Sequence, residues 1–265
     1  MDNKTVQLLI DNRGVATVTL NRPDKHNAFD DAIIAELRQA FDELADREEV
    51  RVVVLASEGK SFSAGADLGW MQRMAEYDYG HNMKDAEQLA GMLKALFDLP
   101  QPTIARVQGA AFGGAVGLVS CCDMAVGTPR ASFALSEVKM GLIPATISPY
   151  VVSAIGERAA RRFFTTGERF DADTALRLGL LSELVAEDEL DAGVSGLVEA
   201  ILANGPLAVR AAKDLVGSVA GKTLDHALIE DTCARIAHIR VSEEGQEGLK
   251  AFLQKRAPAW QVKED

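Results

Sequence analysis

The stretch from Gly109 to Asp123 reads GAAFGGAVGLVSCCD, with four glycines and no charge before its final aspartate. The segment before it, TIARV at residues 103–107, is typical of a short buried strand, and the apolar run after Gly113 and Gly114 predicts a buried helix. A strand, a glycine turn and a helix give a backbone that a ligand can approach closely, with free N–H groups pointing at it. Tight packing of a core helix explains the same small residues, and on this stretch alone it is the favoured interpretation.

The composition is that of an ordinary globular protein. The 265 residues leave room for one large domain or for one domain with an appendage, and 48% of them are hydrophobic and 25% charged. The net charge of -11 argues against a nucleic-acid partner, because phosphate binding needs a basic surface. A small anionic ligand stays open wherever a few Lys and Arg residues cluster.

The sequence shows no signal for secretion or for a membrane. The segment MDNKTVQLLI has no basic stretch followed by an apolar one, and the apolar run 109–122 is shorter than the roughly 20 residues that span a bilayer. Cys121 and Cys122 are adjacent and Cys233 is distant, which fits neither a disulfide framework nor the spacing of a metal site. We therefore expect a cytoplasmic protein without membrane association, with buried free thiols.

The first two thirds of the chain alternate strands and helices. Segments 5–10 and 14–20 flank the turn signal Asp11-Asn12-Arg13-Gly14 and predict a hairpin. Apolar residues recur at helical spacing over 31–46, and RVVVLA at 51–56 is typical of a strand buried on both faces. The pattern also predicts a mostly helical stretch at 68–98, interrupted near Tyr79-Gly80, and a strand at 123–127.

The last third is predicted to be helical. Ser148-Pro149 is typical of a helix N-cap followed by proline at the first helical position. From residue 157 onward the pattern is helical, with separate helices at 187–203, 206–219, 223–240 and 242–254. We expect an α/β core at residues 1–200 that holds the functional site, and a helical C-terminal region at 201–265.

Two motifs, each placed after a predicted buried strand, carry a resemblance to a known family. They are Ser63-Ala64-Gly65-Ala66-Asp67 and Gly109-Ala110-Ala111-Phe112-Gly113-Gly114. Further matches are Asn21-Arg22-Pro23, Lys25, Asn27-Ala28-Phe29, Cys122-Asp123-Met124-Ala125 and Phe252-Leu253-Gln254-Lys255-Arg256. Together they cover essentially the whole chain, which resembles the crotonase (enoyl-CoA hydratase/isomerase) family.

The resemblance implies a spiral of ββα units with C-terminal helices that support homotrimers or homohexamers. It implies an acyl-CoA thioester substrate, with coenzyme A as part of that substrate and no separate cofactor or metal. Ala66 and Gly114 match the two residues whose backbone N–H groups form the family's oxyanion hole. Small residues there let a thioester oxygen approach the backbone, and a helix that begins at the glycine pair favours negative charge on that oxygen.

The resemblance also implies which residues contact coenzyme A. Lys25, Ala28, Ala64, Asp67 and Leu68 match positions that hold the coenzyme A group, and Lys255 matches a C-terminal lysine that reaches its phosphates. From the residues alone, solvated surface is the preferred interpretation of both lysines, and Asp67 is explained as a carboxylate stabilised by a helix N-terminus.

Glu137 is the predicted acid/base. Hydratases of the family often use two glutamates, and Glu137 matches the second, whereas Gly117 stands where the first would be. Its apolar surroundings favour a raised pKa, although an exposed carboxylate paired with Lys139 explains the residue as well. A lone glutamate by itself favours isomerisation of a 3-enoyl to a 2-enoyl thioester, since that reaction needs only one base.

A finer resemblance favours hydration. Gly113–Leu118, Leu135–Glu137 and Gly141–Tyr150 are similar to the bacterial methylglutaconyl-CoA and carboxygeranoyl-CoA hydratases, in which bulkier residues replace a glycine-rich loop, here Ala145–Tyr150. Those enzymes act in leucine/isovalerate or terpene breakdown. Related dehalogenases use an aspartate nucleophile in that loop, where this chain has Ala145.

The acyl pocket is less well defined. Trp70, Met71 and Met74 either line it or are core residues of an amphipathic helix, and Arg73, Lys84 and Arg106 are candidate partners for a distal carboxylate. The resemblance thus implies an enoyl-CoA hydratase. The alternatives are an enoyl-CoA isomerase with the same site, and a non-catalytic member that binds CoA thioesters or RNA.

Overall fold

A computed structural model describes residues 4–261, which form an α/β structure. Its strands are β1 (Val6–Ile10), β2 (Val15–Leu20), β3 (Val52–Ser57), β4 (Thr103–Val107), β5 (Ala111–Phe112), β6 (Met124–Gly127), β7 (Ser132–Ala134), β8 (Arg169–Asp171) and β9 (Glu183–Leu184). Its helices are α1 (Asp31–Ala45), α2 (Leu68–Ala75), α3 (Tyr79–Phe97), α4 (Gly114–Cys121), α5 (Ser148–Thr166), α6 (Ala172–Leu178), α7 (Leu190–Leu202), α8 (Pro206–Val219), α9 (His226–Val241) and α10 (Glu243–Gln254).

The strands form two sheets. The larger has the order β1-β2-β3-β4-β6-β9, with the predicted β1–β2 hairpin antiparallel and every later pair parallel. The smaller has the order β5-β7-β8. Successive units therefore contribute one strand to each sheet and then a helix, as β4, β5 and α4 do, and β6, β7 and α5 after them. This is the predicted spiral of ββα units.

In the unit that begins with β3 and continues to α2 and α3, single-residue bridges take the place of the second strand. Ser63 bridges to Ala111, and Ala66 bridges to Phe29. These bridges bring the two sequence motifs side by side at the edge of the smaller sheet.

Two apolar cores lie on opposite faces of the larger sheet. The main core packs α1, α3, α4 and α5 against one face, with Phe29, Phe41, Leu55 and Leu93 fully buried. On the other face, alternate strand residues such as Val54 and Ile104 pack against Val194 of α7. Strands buried on both faces explain the continuous apolar runs in the sequence.

The C-terminal helices α8 and α9 bury none of their residues within this chain. Lys213 of α8 anchors them to the core, with its Nζ 2.7 Å from Asp123 Oδ2 and 3.0 Å from the carbonyl oxygen of Gln101. Large exposed apolar side chains lie along α8, α9 and α10: Leu207, Val216, Ile229, Ile236, Val241, Leu249, Phe252 and Leu253. Apolar surface of this extent is typical of a protein interface.

Three local predictions were wrong. Ser148 is the first residue of α5 and caps nothing, because the buried Ile147 takes the cap position and the Ser148 hydroxyl donates to the Ala145 carbonyl at 2.8 Å. The region after 157 is not wholly helical, since it contains β8 and β9, which are too short for a period to reveal. Cys233 is exposed rather than buried.

No single helix within residues 4–261 has the length and apolar character to cross a membrane, although the pair 187–202 and 206–219, bent by 105°, meets those criteria jointly.

Candidate active site

The two motifs meet through backbone hydrogen bonds. The Ser63 N–H donates to the Ala110 carbonyl at 3.0 Å, and the Phe112 N–H donates to the Ser63 carbonyl at 3.1 Å. Gly65 has a φ of +87°, and a β-carbon there would lie 2.7 Å from the carbonyl oxygen of Phe112. Only glycine permits this approach, which sets Ala66 beside the Gly113–Gly114 turn.

The Ala66 N–H is left free by the bridge to Phe29. The Phe29 N–H donates to the Gly65 carbonyl at 2.9 Å, and the Asp67 N–H donates to the Phe29 carbonyl at 3.0 Å. Successive N–H groups of an extended segment point in opposite directions, so that of Ala66 points away from Phe29. It has no protein acceptor among residues 4–261.

Gly114 supplies a second free N–H group. The Gly113 N–H is used, since it donates to the Ala134 carbonyl at 2.8 Å, whereas that of Gly114, the first residue of α4, has no acceptor in the described part of the chain. A β-carbon on Gly114 would lie 2.6 Å from Cζ of the buried Phe29 ring. Two unused N–H donors, one of them at a helix N-terminus, are the elements from which an oxyanion hole is built.

Glu137 lies next to this turn. It begins a single 3₁₀ turn, Glu137–Met140, and its Oε1 would lie 3.2 Å from a β-carbon on Gly113. Its Oε2 is buried and has no hydrogen-bond partner among the described residues. Burial raises the pKa of the Glu137 carboxyl, and a hydrogen bond to its own backbone offsets only part of that effect. The carboxylate is therefore available to exchange a proton, and Lys139, whose side chain lies against Gly167, does not pair with it.

The structure leaves no room for a side chain at Gly117, the position that matches the family's first glutamate. Gly117 is buried, and a β-carbon there would lie 2.3 Å from Cγ2 of Ile147 and 3.5 Å from Cδ2 of Leu93. Apolar side chains thus occupy the space into which a second carboxylate would project.

The segment that carries Lys25 and Ala28 is fastened to the segment that carries Ala64. The buried Asn27 donates through Nδ2 to the carbonyls of Glu58 at 2.7 Å and Ser61 at 3.0 Å. The Ala64 N–H donates to the His26 carbonyl at 2.9 Å. Ala28 is buried, whereas Lys25 and Ala64 are exposed. These two residues therefore lie on an open rim beside the place where Gly65 meets the Gly113–Gly114 turn, which we call the glycine junction.

Asp67 caps α2. Its Oδ1 accepts from the N–H groups of Gly69 at 2.8 Å and Trp70 at 3.3 Å. Burial acts to raise the pKa of Asp67, but these two hydrogen bonds and the charges of Arg22 and Lys25 outweigh it, so the pKa lies below its ordinary value. Asp67 has the contacts of a helix-capping carboxylate. The neighbouring Leu68 is 76% exposed on the same rim, and contact of either residue with coenzyme A stays a prediction.

Sequence reasoning missed Arg22 as a connecting residue. Its guanidinium lies 3.2 Å from Asp30 Oδ2 and 3.3 Å from Asp67 Oδ2, and so joins the carboxylates that cap α1 and α2. The proximity of the two capping aspartates depends on the bridge between Phe29 and Ala66, which the sequence pattern does not reveal.

The remaining predicted binding residues, Lys255, Arg73 and Arg106, lie on different parts of the molecule. Lys255 is exposed at the end of α10, which packs on α8 and α9, so its contact with coenzyme A stays a prediction. Arg73 pairs with Asp31. Arg106 pairs with Asp191 on the α7 face of the sheet and lines a cavity of about 600 Å³ there, away from Glu137.

The residues after Asp67 form one helix with a buried side. Trp70 is buried and donates through Nε1 to Asp85 at 3.0 Å, while Met71 and Met74 are half-buried. Lys84 is exposed on α3. Among residues 4–261, no three His, Cys, Asp or Glu side chains are grouped as a metal site requires.

Known proteins are similar to this chain over nearly its whole length. The enoyl-CoA hydratase/isomerase family model matches residues 11–263. A Thermus thermophilus protein named "Putative enoyl-CoA hydratase" is 34% identical over 246 residues, which cover 92% of this chain and 96% of that protein.

Solved structures are similar over nearly the whole chain. An enoyl-CoA hydratase from Shewanella pealeana has a TM-score of 0.94 and 47% identity, covering 98% of this chain and 97% of that one. A Legionella pneumophila protein described as "putative enoyl CoA hydratase/isomerase (crotonase)" has a TM-score of 0.92 and 47% identity, covering 97% and 99%. The chain therefore belongs to the enoyl-CoA hydratase/isomerase, or crotonase, family and has its fold.

Proposed function

We propose that this protein is an enoyl-CoA hydratase that adds water across the 2,3 double bond of a 2-enoyl-CoA thioester with Glu137 as its acid/base. The observation that carries the proposal is the buried, unpartnered Oε2 of Glu137 beside the Gly113–Gly114 turn. A buried carboxylate oxygen without a hydrogen-bond partner is costly to keep, and such groups are concentrated at functional sites.

In this mechanism the N–H groups of Ala66 and Gly114 bind the thioester oxygen. As water attacks Cβ, Glu137 takes one of its protons, and the electrons of the double bond move toward the thioester oxygen as an enolate. The Glu137 carboxyl then gives that proton to Cα, and the thioester carbonyl re-forms. Over the whole reaction one water molecule is added to the substrate, and Glu137 ends as the carboxylate with which it began. Free N–H donors stabilise the charge that develops on the oxygen.

One carboxylate serves both proton transfers because they follow one another. The raised pKa of Glu137 makes its carboxylate a stronger base than an exposed glutamate. Coenzyme A would be held by contacts with Lys25, Ala64, Asp67 and Leu68 and with the buried Ala28, and Lys255 would contact its phosphates.

The second candidate is an enoyl-CoA isomerase with the same site. The closed position at Gly117 supports it, since moving a proton from Cα to Cγ needs one base and no activated water. A non-catalytic role is less well supported, because nothing in the family's binding function needs an unpartnered Glu137. The net charge of -11 argues against the RNA-binding alternative.

For the acyl group we propose a methyl-branched dicarboxylic substrate of the methylglutaconyl-CoA kind, as in leucine/isovalerate or terpene breakdown, in a cytoplasmic enzyme. The exposed apolar side chains of α8–α10 support assembly as a homotrimer or homohexamer. Arg106 is a poor partner for the distal carboxylate, because it faces α7. Arg73 and Lys84 stay as candidates.

The test is product analysis with a panel of 2-enoyl-CoA and 3-enoyl-CoA thioesters in heavy-oxygen water. We expect heavy oxygen at Cβ with the parent protein, and a rate of incorporation about 10²–10⁴-fold lower with Glu137→Gln. Conversion of a 3-enoyl to a 2-enoyl thioester without incorporation of heavy oxygen would overturn hydration in favour of isomerisation.

A further inference from the structure

Gly117 and Ile147 fit together as a matched pair. Gly117 lies three residues after Gly114 on α4, and therefore on the same side of the helix one turn further along. A β-carbon on Gly117 would lie 2.3 Å from Cγ2 and 2.8 Å from Cβ of Ile147. Because the second of these atoms is next to the backbone, rotation of the isoleucine side chain cannot make room.

The chain around Ile147 is held in place. The Ala145 N–H donates to the Ile143 carbonyl at 2.8 Å, and the Ser148 N–H donates to the Ala145 carbonyl at 3.2 Å. The Ile147 carbonyl accepts from the Val151 N–H at 3.1 Å in the first turn of α5. Ile147 is only 2% exposed, so its side chain belongs to the main core.

We propose that Ile147 is a specificity-determining residue that fixes the number of carboxylates in the site at one. Two departures from the family pattern, glycine at 117 and bulkier residues at 145–150, are then one coupled change. With Leu93, Ile147 fills the space of the other glutamate, so that a carboxylate at 117 would have to lose its hydration among apolar side chains. The role of this space in the reaction rests on the proposed function, whereas the packing of the pair does not.

The packing is tested by a double-mutant cycle on thermal unfolding. We expect Gly117→Ala to lower the melting temperature by about 2–10 °C through overpacking, and Ile147→Gly, which also removes the Cβ that lies 2.8 Å away, to lower it by leaving a cavity. The double variant should melt well above the temperature that the sum of the two shifts predicts, since each change relieves the other. Additive shifts would overturn the proposal.

Gly196→Ala is the matched control for the glycine substitution. Gly196 lies within α7, and a β-carbon there has no neighbour within 4 Å. We expect its melting temperature to stay equal to that of the parent or to rise, because alanine favours helix. A comparably stable Gly117→Ala would contradict the proposed contact.

The effect on the chemistry is tested with Gly117→Glu and with Gly117→Glu combined with Ile147→Gly. We expect the first to melt far below the parent and the second to recover most of that loss. In the recovered protein, Glu137→Gln should cost at least about tenfold less hydration activity than in the parent, since a second acid/base can contribute. An equal cost in both proteins would overturn the assigned role of Ile147. Absence of hydration in the parent would refute the proposed function alone, and the melting cycle would still decide the packing.

Discussion

The first and second turns of α4 use glycine in opposite ways. In the first turn, Gly114 leaves a backbone N–H free, and the Glu137 carboxylate lies beside Gly113. In the second turn, the Ile147 side chain occupies the space beside Gly117, and the atoms nearest to a β-carbon there all belong to the apolar side chains of Ile147 and Leu93. One glycine exposes the backbone to a ligand and the other admits a neighbouring side chain. The comparison teaches that a glycine in a motif indicates a place where another group comes close to the backbone. The neighbouring side chains in the structure then show whether that group is a ligand or part of the core.

The largest effect should follow from removing the charge at the first turn. Glu137→Gln keeps the shape of the side chain but cannot accept a proton, so hydration should fall by about 10²–10⁴-fold with little change in substrate binding. Steady-state kinetics on a 2-enoyl-CoA measures this. The exposed Glu157→Gln on α5 is the control and should keep parental activity, whereas parental activity in Glu137→Gln would remove Glu137 from the mechanism.

The next largest effect on turnover should come from adding a side chain at Gly114, in the first turn of α4. Gly114→Ala places a β-carbon 2.6 Å from Phe29 Cζ, so the turn must shift and take its N–H away from the thioester oxygen. We expect turnover to fall by about 10²–10³-fold, as for the loss of one oxyanion donor. Gly196→Ala serves as the control here also. If Gly114→Ala matched it in turnover, the Gly114 N–H would not be an oxyanion donor.

A smaller effect should come from the support of the Ala66 segment. Asp67→Ala removes the cap of α2 and the ion pair with Arg22, and should cost about 0.5–2 kcal/mol in the free energy of unfolding. Asp67→Asn keeps a capping oxygen and should cost less. Denaturant unfolding measures both, and equal losses would show that the charge matters more than the cap.

The smallest effect is on the pH dependence of stability. Because burial raises the pKa of Glu137, the folded state binds its proton more tightly than the unfolded state, and stability contributed by this group is lost as the pH rises through the folded pKa. Glu137→Gln should therefore be more stable than the parent at pH 8, and the difference should vanish below the ordinary pKa of glutamate. Melting curves across that range measure it. A stabilisation that does not change with pH would show that the carboxyl titrates normally.

Most of the fold could be predicted because its long elements carry periodic patterns. The β1–β2 hairpin, α1, β3, β4 and the C-terminal helices follow from apolar spacing and turn residues. The strands of the smaller sheet could not be predicted, since β5 has two residues and β8 three, and their pairing is set by distant segments. The division of the chain at residue 200 stays a prediction.

The site was less predictable than the fold. The resemblance, not the spacing, pointed to Glu137, and its proximity to Gly113 joins segments that are distant in sequence. The contact between Gly117 and Ile147 cannot be predicted from sequence for the same reason, although Gly117 and the loop Ala145–Tyr150 each depart from the family pattern. The Ser148 prediction was wrong because a buried side chain at 147 overrides the preference of serine for the cap position.

The most direct test of the central claim, that Glu137 alone carries both proton transfers of hydration, is the stereochemistry of water addition in heavy water. A single carboxylate approaches the double bond from one face. NMR of the product should therefore show the hydroxyl at Cβ and the new deuterium at Cα added to the same face. Addition to opposite faces would require a second acid on the other side of the substrate and would contradict the account.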